Sequence, residues 1–94
     1  MFIVTYIGRA TSPDDARMVC TLAAHAYSVR TRPGYIRGDC AIKVDDPCVV
    51  IGIIYWGSEA AHDVHERLED TRRIVAKVET YLVAPPEINV YEVC

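Results

Sequence analysis

The segment Cys48–His65, which reads CVVIGIIYWGSEAAHDVH, constrains the fold of this chain more than any other segment. Its first half predicts a strand that is apolar on both faces and ends at Trp56, the only tryptophan. A Gly-Ser turn then leads into a helix that carries two histidines, His62 and His65. Because a strand that is apolar on both sides is normally covered on both sides, the sheet needs a packing layer on each face.

Length and composition limit the class of protein. The 94 residues and a hydrophobic fraction of 51% indicate one domain, residues 1–94, with a core of its own. A net charge of −3 argues against nucleic acid or an anionic membrane as a partner. No segment reaches the roughly 18 apolar residues of a membrane span. The start, MFIVTYIGRA, alternates like a strand and lacks the basic region of a signal peptide, so we expect a cytoplasmic protein.

The four cysteines do not form a recognisable motif. Cys20, Cys40, Cys48 and Cys94 lack CxxC spacing, and no histidine lies close to any of them in sequence. We interpret them as reduced, half-buried thiols of a cytoplasmic protein, and we expect no metal site built from them.

Hydrophobic periodicity and turn residues divide the chain into six elements. Residues 2–8 alternate like a strand, and Ser12 is placed to cap a helix that runs to about Val29. A Pro-Gly turn follows, and then Tyr35–Val44 and Cys48–Trp56 form a hairpin around a turn of type Asp-Asp-Pro.

The second half completes a β-α-β-β-α-β order. Ser58 caps a second helix, which ends near Lys77 or Tyr81, and Ile88–Val93 forms the last strand. This order predicts an α+β, ferredoxin-like domain with a four-stranded antiparallel sheet and both helices on one face. The other face then lacks a cover. A second copy of the sheet is the simplest cover, so we expect a two-fold homodimer.

Several short motifs follow one another along the chain. They are Pro33-Gly34-Tyr35, Asp45-Asp46-Pro47, Trp56-Gly57-Ser58-Glu59-Ala60, His65, Pro85-Pro86 and Val90-Tyr91-Glu92-Val93. Together they cover nearly the whole chain, and they resemble the antibiotic biosynthesis monooxygenase family. The resemblance implies a dimeric α+β barrel, in agreement with the need to cover the second face of the sheet.

The resemblance also implies an activity. Several members of that family are cofactor-free oxygenases that convert aromatic polyketide phenols or anthrones to quinones. We therefore expect an oxygenase-type or cyclase-type enzyme of natural-product biosynthesis that acts on a hydrophobic aromatic intermediate and uses no cofactor. The alternative is a dimeric module of the same fold that binds a ligand without chemistry. A third interpretation is a haem-degrading monooxygenase, as some family members are.

Trp56 and His65 are the candidate catalytic residues. The resemblance implies that the tryptophan lines a substrate pocket, where its indole N–H donates to a substrate oxygen and its ring stacks on an aromatic ligand. A helical wheel groups His65 with Ala61, Val64 and Leu68 on an inward stripe, where an imidazole can act as a base. Each residue has a structural alternative, because both can simply be satisfied members of the core.

Six further residues are candidates for substrate binding: Tyr6, Tyr27, Gly52, Ile54, His62 and Arg72. Gly52 and Ile54 share the strand face of the tryptophan, and the missing side chain at Gly52 leaves room for a ligand or else marks a bulge. Some relatives carry an asparagine at the position of Gly52, so that contact with a substrate oxygen is not carried over. Tyr6 and Tyr27 offer hydroxyl donors.

The helical wheel also places the remaining two candidates. Arg72 falls on the inner stripe of the second helix, unless the helix restarts at Thr71, and a buried arginine there would need an anionic partner. His62 points about 60° away from His65 and is expected to be partly solvated. The i, i+3 spacing of the histidines suits a metal, but no third ligand is well spaced, so we expect none.

Overall fold

The computed structural model describes residues 1–26 and 29–94 in full and only the backbone of Tyr27 and Ser28. Four strands form one antiparallel sheet in the order β2-β3-β1-β4. The elements are β1 (Phe2–Arg9), α1 (Pro13–Ala24), α2 (Tyr27–Arg30), β2 (Tyr35–Ile42), β3 (Val49–Trp56), α3 (Glu59–Arg67), α4 (Glu69–Glu79) and β4 (Glu87–Glu92). The predicted ferredoxin-like α+β fold is confirmed.

Both predicted helix starts are capped by serine. The Ser12 hydroxyl accepts a hydrogen bond from the backbone N–H of Asp15 at 3.1 Å, and Pro13 follows it in the first helical position. The Ser58 hydroxyl accepts from the backbone N–H of Ala61, also at 3.1 Å. Each cap satisfies an N–H group that the helix leaves without a partner, so these two boundaries follow from local sequence alone.

The two long helices that the sequence predicted are each divided. The first ends at Ala24 instead of near Val29, and a separate helical turn, α2, follows it. The second is broken at Leu68, whose backbone is extended at φ −74° and ψ 141°. Helix α4 restarts directly after this residue, with two acidic residues in its first turn, where they favour the positive end of the helix.

The break at Leu68 changes which residues face the sheet. Arg72 is exposed, so the prediction that it lies on the inner stripe is wrong, because that stripe assumed one continuous helix. His62 is only 6% exposed, so the prediction that it is partly solvated is also wrong. Val64, by contrast, is 60% exposed, because α3 turns both of its histidines toward the sheet instead.

The strand register assigns every side chain to one of two faces. The inner face, which the helices cover, carries Phe2, Val4, Tyr6 and Gly8 of β1 opposite Trp56, Ile54, Gly52 and Val50 of β3. The outer face carries Ile3, Thr5 and Ile7 opposite Tyr55, Ile53 and Ile51. No element in the described parts of the chain packs on the outer face. Within the described parts of one chain, therefore, only one of the two apolar faces of β3 is covered.

Packing on the inner face is concentrated at two ends. At one end, α1 closes on the sheet through Ala10, Ala16, Val19 and Val50, all of which are buried. At the other end, the fully buried Trp56 packs against the rings of Tyr35, His62 and His65. The space between these ends is where a cavity forms. Among the residues described in full, no helix has the length and hydropathy needed to cross a membrane.

The turn between α2 and β2 requires glycine at position 34. Gly34 has a φ of +84°, and a Cβ built there would stand 2.5 Å from the Cβ of Ala61 on α3. The Gly34 carbonyl also accepts a hydrogen bond from the backbone N–H of Gly57 at 2.7 Å. This close contact sets where α3 begins relative to the sheet.

We expect Gly34→Ala to lower the free energy of unfolding by about 1–3 kcal/mol, since it adds both backbone strain and a clash with Ala61. Urea denaturation followed by circular dichroism measures the change. Gly57→Ala is the matched control, because its new Cβ would make only ordinary contacts, at 3.5 Å from the Gly34 carbonyl oxygen and 3.9 Å from the Gly34 Cα. Equal losses for both variants would contradict this account of the turn.

Candidate functional site

An apolar cavity of about 340 Å³ lies between the inner face of the sheet and the helices. The sheet side of its wall includes Tyr6, Gly52 and Ile54, and α3 contributes His65. A Cβ built on Gly52 would meet nothing closer than Tyr6, at 3.7 Å, so the missing side chain at this position leaves space that no neighbour fills. The volume falls at the lower end of the range for small-molecule sites.

His65 lies at the edge of the cavity and is only 3% exposed to solvent. Its Nδ1 lies 3.2 Å from the hydroxyl of Thr71, which is also buried and also lines the cavity. On its other side the imidazole packs on the indole of Trp56, with ring centroids 4.8 Å apart. These two contacts fix the plane of the ring, so the imidazole is presented to the cavity in one orientation.

Trp56 supports this site from behind. It is completely buried and is not among the residues that line the cavity. Its Nε1 is buried and has no hydrogen-bond partner within the part of the chain that the structure describes in full. The indole and the imidazole therefore meet directly, but only the imidazole borders the hollow.

A second polar group reaches the cavity through Tyr6. The Tyr6 hydroxyl donates to Glu66 Oε1 at 2.9 Å, and His62 Nε2 lies 3.0 Å from the same oxygen. The Glu66 side chain is 37% exposed, so this carboxylate joins a residue of the cavity wall to solvent. Glu66 is a residue of the site that the sequence analysis did not single out. The i, i+4 spacing from His62 was the available signal.

The environment sets the protonation state of these groups. Burial lowers the pKa of His65 by more than the neighbouring Glu66 carboxylate raises it, and the positive charge of Arg32 adds to the lowering, so the imidazole is mostly neutral at pH 7. Burial, followed by the adjacent Glu66 carboxylate, raises the pKa of Tyr6, so its hydroxyl keeps its proton. The site therefore holds a neutral imidazole that can accept a proton and a phenol whose hydroxyl keeps its proton and can donate a hydrogen bond.

The structure separates the candidate residues into three groups. His65, Tyr6, Gly52 and Ile54 line the cavity. Trp56 and His62 lie one step behind the wall, packed against or bonded to residues of the site. Arg72 is exposed and lies away from it, and the side chain of Tyr27 lies outside the described residues. Among the side chains that the structure describes, no cluster of three His, Cys, Asp or Glu residues could hold a metal ion.

The strand order is that of a ferredoxin-like domain, and known structures share this fold. No protein-family model and no curated protein matches the sequence. The crystal structure of an antibiotic biosynthesis monooxygenase is 20% identical, with a TM-score of 0.81 over 100% of this chain and 99% of that one. The ActVA-Orf6 monooxygenase of Streptomyces coelicolor, solved with nanaomycin D, is 18% identical, with a TM-score of 0.85 over 96% and 84%.

A third similar structure is SnoaB, a cofactor-independent oxygenase from Streptomyces nogalater. It is 14% identical, with a TM-score of 0.78 over 98% of this chain and 90% of that one. The chain therefore has the fold of the antibiotic biosynthesis monooxygenases, as its sequence motifs implied. The likeness extends over the whole domain, and it includes the sheet and helices that enclose the cavity.

The lowered pKa of His65 predicts a pH dependence of stability. Between its folded pKa and the ordinary value of about 6.5, the unfolded chain binds more protons than the folded one. The free energy of unfolding should therefore fall as the pH drops below about 6.5, and the loss should level off below the folded pKa. Urea denaturation of the wild type and His65→Gln between pH 5 and 7.5 measures this component. A variant that loses as much stability as the wild type over that range would contradict the assignment.

Proposed function

We propose that this protein is a cofactor-free oxygenase that acts on a small aromatic phenol or anthrone bound in the cavity. The observation that carries the proposal is the buried, neutral His65 in the wall of an otherwise mostly apolar cavity. A likeness in fold to SnoaB and ActVA-Orf6 supports it, and the nanaomycin D bound to the latter supports an aromatic, polyketide-type ligand.

The chemistry needs a proton acceptor in a water-poor site. A neutral imidazole at position 65 removes a proton from the acidic CH₂ or hydroxyl of the substrate, which leaves an electron-rich anion. The anion reduces dioxygen directly, and the new C–O bond forms on the substrate carbon. For an anthrone the balance is R₂CH₂ + O₂ → R₂C=O + H₂O, so four electrons leave the substrate carbon and no other reductant is consumed.

The second polar group gives the site a route for protons. The Tyr6 hydroxyl is already engaged with Glu66, and this carboxylate reaches solvent and lies beside His62. A substrate oxygen that displaces or joins this contact would receive a hydrogen bond from Tyr6, which stabilises developing negative charge in a site of low dielectric. Trp56 has a positioning role in this scheme, because it orients His65 without bordering the ligand.

Ligand binding without chemistry is the second candidate function. The observation that favours it is the composition of the wall, in which aliphatic side chains and glycines outnumber the polar groups. Such a wall holds an apolar ligand by burial alone, and a module of this kind could carry an intermediate between enzymes. The two functions differ in a single measurable property, which is turnover.

Dithranol, an anthrone with two phenolic hydroxyls, is the test substrate. We expect wild-type protein without added cofactor to consume oxygen and form the quinone, and His65→Ala to lower kcat at least about tenfold, since its base is gone. Tyr6→Phe should lower kcat by a smaller factor. Val64→Ala is the matched control, because Val64 lies on the same helix and is 60% exposed.

Three outcomes distinguish the candidates. Turnover that depends on His65 supports the oxygenase. Saturable binding of dithranol that Gly52→Leu abolishes, with no turnover, supports the binding module, because the new side chain fills the space above Gly52. Turnover that survives His65→Ala unchanged would remove the role that we assign to the imidazole.

We further propose that two copies of the chain pair through the outer face of the sheet. The apolar side chains of this face lie together at its centre, on β1 and β3. Thr5 lies among them, and its hydroxyl oxygen is buried without a partner among the described residues. Tyr91 on β4 and Val93 just after this strand continue the apolar surface and are 51% and 38% exposed. A surface of this kind on so small a domain is typical of an interface.

Light scattering after size exclusion, at micromolar concentration, tests the pairing. We expect twice the chain mass of 10.5 kDa for the wild type and the single mass for Ile53→Lys, because the new charge would be buried in the interface. Val64→Lys, which puts the same charge on the exposed side of α3, should leave the dimer intact. A wild-type protein that elutes as a monomer would overturn this proposal.

A further inference from the structure

Two of the four cysteines come together in the wall of the cavity. Cys20 lies on α1 and Cys40 on β2, and their sulfur atoms are 2.9 Å apart. Both residues line the cavity, and both are half-buried. We refer to them as the thiol pair. The two cysteines are 20 positions apart in sequence, and the packing of α1 on the sheet brings them together.

The position of the thiol pair ties it to the candidate site. Cys40 pairs across the sheet with Gly52, and Gly52 pairs on its other side with Tyr6. Cys40 and Tyr6 therefore lie on either side of Gly52 on the inner face of the sheet. The remaining cysteines lie elsewhere: Cys48 follows the hairpin turn, and Cys94 is exposed at the last position.

We propose that the thiol pair is a redox modification site: hydrogen peroxide entering the cavity converts Cys20 and Cys40 to an intramolecular disulfide that ties α1 to β2 and alters ligand binding. The proposal stands on the sulfur–sulfur contact and on the shared cavity wall, and it is independent of the proposed oxygenase activity.

The oxidation is balanced with peroxide as the only co-reactant. One thiol attacks peroxide, its sulfur is oxidised to a sulfenic acid, and the O–O bond breaks to release water. The second thiol then attacks that sulfur, an S–S bond forms, and a second water leaves. The sum is 2 RSH + H₂O₂ → RSSR + 2 H₂O, with two electrons passing from sulfur to peroxide.

The geometry favours the second step over any competing reaction. The sulfur atoms need to approach each other by only about 1 Å to reach bonding distance, so the sulfenic acid has a partner already in place. Burial and contact with Cys20 raise the pKa of the Cys40 thiol, so Cys40 keeps its proton at neutral pH and is suited to the second step, in which it resolves the sulfenic acid.

Closure of the disulfide should change the cavity. The bond draws α1 toward β2 on the wall that faces the ligand, and it removes freedom from the loop and turn between the two elements. We therefore expect the oxidised protein to bind an apolar probe at least about threefold more weakly and to have a Tm higher by about 10 °C.

The test uses the Cys48→Ser/Cys94→Ser variant, which keeps only the thiol pair. After treatment with hydrogen peroxide we expect a mass lower by about 2 Da, loss of both thiols to a thiol reagent, and full reversal by dithiothreitol. In the same background, Cys40→Ser should instead gain about 16 Da, because the sulfenic acid formed on Cys20 then lacks a resolving partner. Binding of 8-anilinonaphthalene-1-sulfonate, measured before and after oxidation, reports on the cavity.

Peptide mapping of the wild-type chain repeats the assignment without any substitution. A disulfide that joins the peptides containing Cys20 and Cys40, with weaker probe binding, supports the proposal. Independent oxidation of each thiol, disulfides that involve only Cys48 or Cys94, or an oxidised protein with unchanged probe affinity would each overturn it.

Discussion

The cavity depends on the contact between Trp56 and the two histidines of α3. The indole is fully buried, and its ring contacts with His62 and His65, at 6.2 and 4.8 Å, form a wide layer between α3 and the end of the sheet. Close-packed interiors resist compression, so this layer of rings sets the distance between α3 and the sheet. The cavity forms because the rings hold α3 away from the sheet at this end of the domain, whereas Gly52, four residues before Trp56 on β3, contributes no side chain.

An unfilled apolar space is costly, because the atoms around it lose dispersion contacts that a packed core would provide. A domain of this size has little stability to spare. Position 52 is nevertheless glycine, although an alanine Cβ there would meet only ordinary contacts, the nearest at 3.7 Å from Tyr6. Because filling the space would be sterically easy, its openness supports the proposed ligand, whose acidic proton and oxygen atom would meet the neutral imidazole and the tyrosine hydroxyl.

Local signals were enough to predict the fold but not the orientation of the site. Serine caps, strand alternation and the Pro-Gly turn predicted the order of elements, because each acts within a few residues. The break at Leu68 has no Gly or Pro that would have predicted it. One helical wheel for residues on both sides of the break therefore placed Arg72 inward and His62 toward solvent, and both placements were wrong. What turns α3 is a long-range contact, Gly34 against Ala61, and no local pattern reports that. The prediction that His65 faces inward was correct, because this residue faces the sheet both in the predicted continuous helix and in the shorter helix α3.

The orientation of α3 also explains why Glu66 belongs to the site, although its sequence context suggests an ordinary surface carboxylate. Once α3 presents His62 and His65 to the sheet, the next position on that face is Glu66, at the boundary between interior and solvent. There it accepts from Tyr6, whose neutral hydroxyl would otherwise be a buried donor without a partner, and it lies beside His62. A carboxylate in this position does two things at once. It satisfies the polar groups that the inward histidines bring with them, and it connects the cavity wall to bulk water by hydrogen bonds. The structural requirement and the proposed proton route thus involve the same residue. Removal of Glu66 should therefore disturb the fold and the proposed chemistry together, whereas Tyr6→Phe keeps the ring and its packing and so isolates the contribution of the hydroxyl.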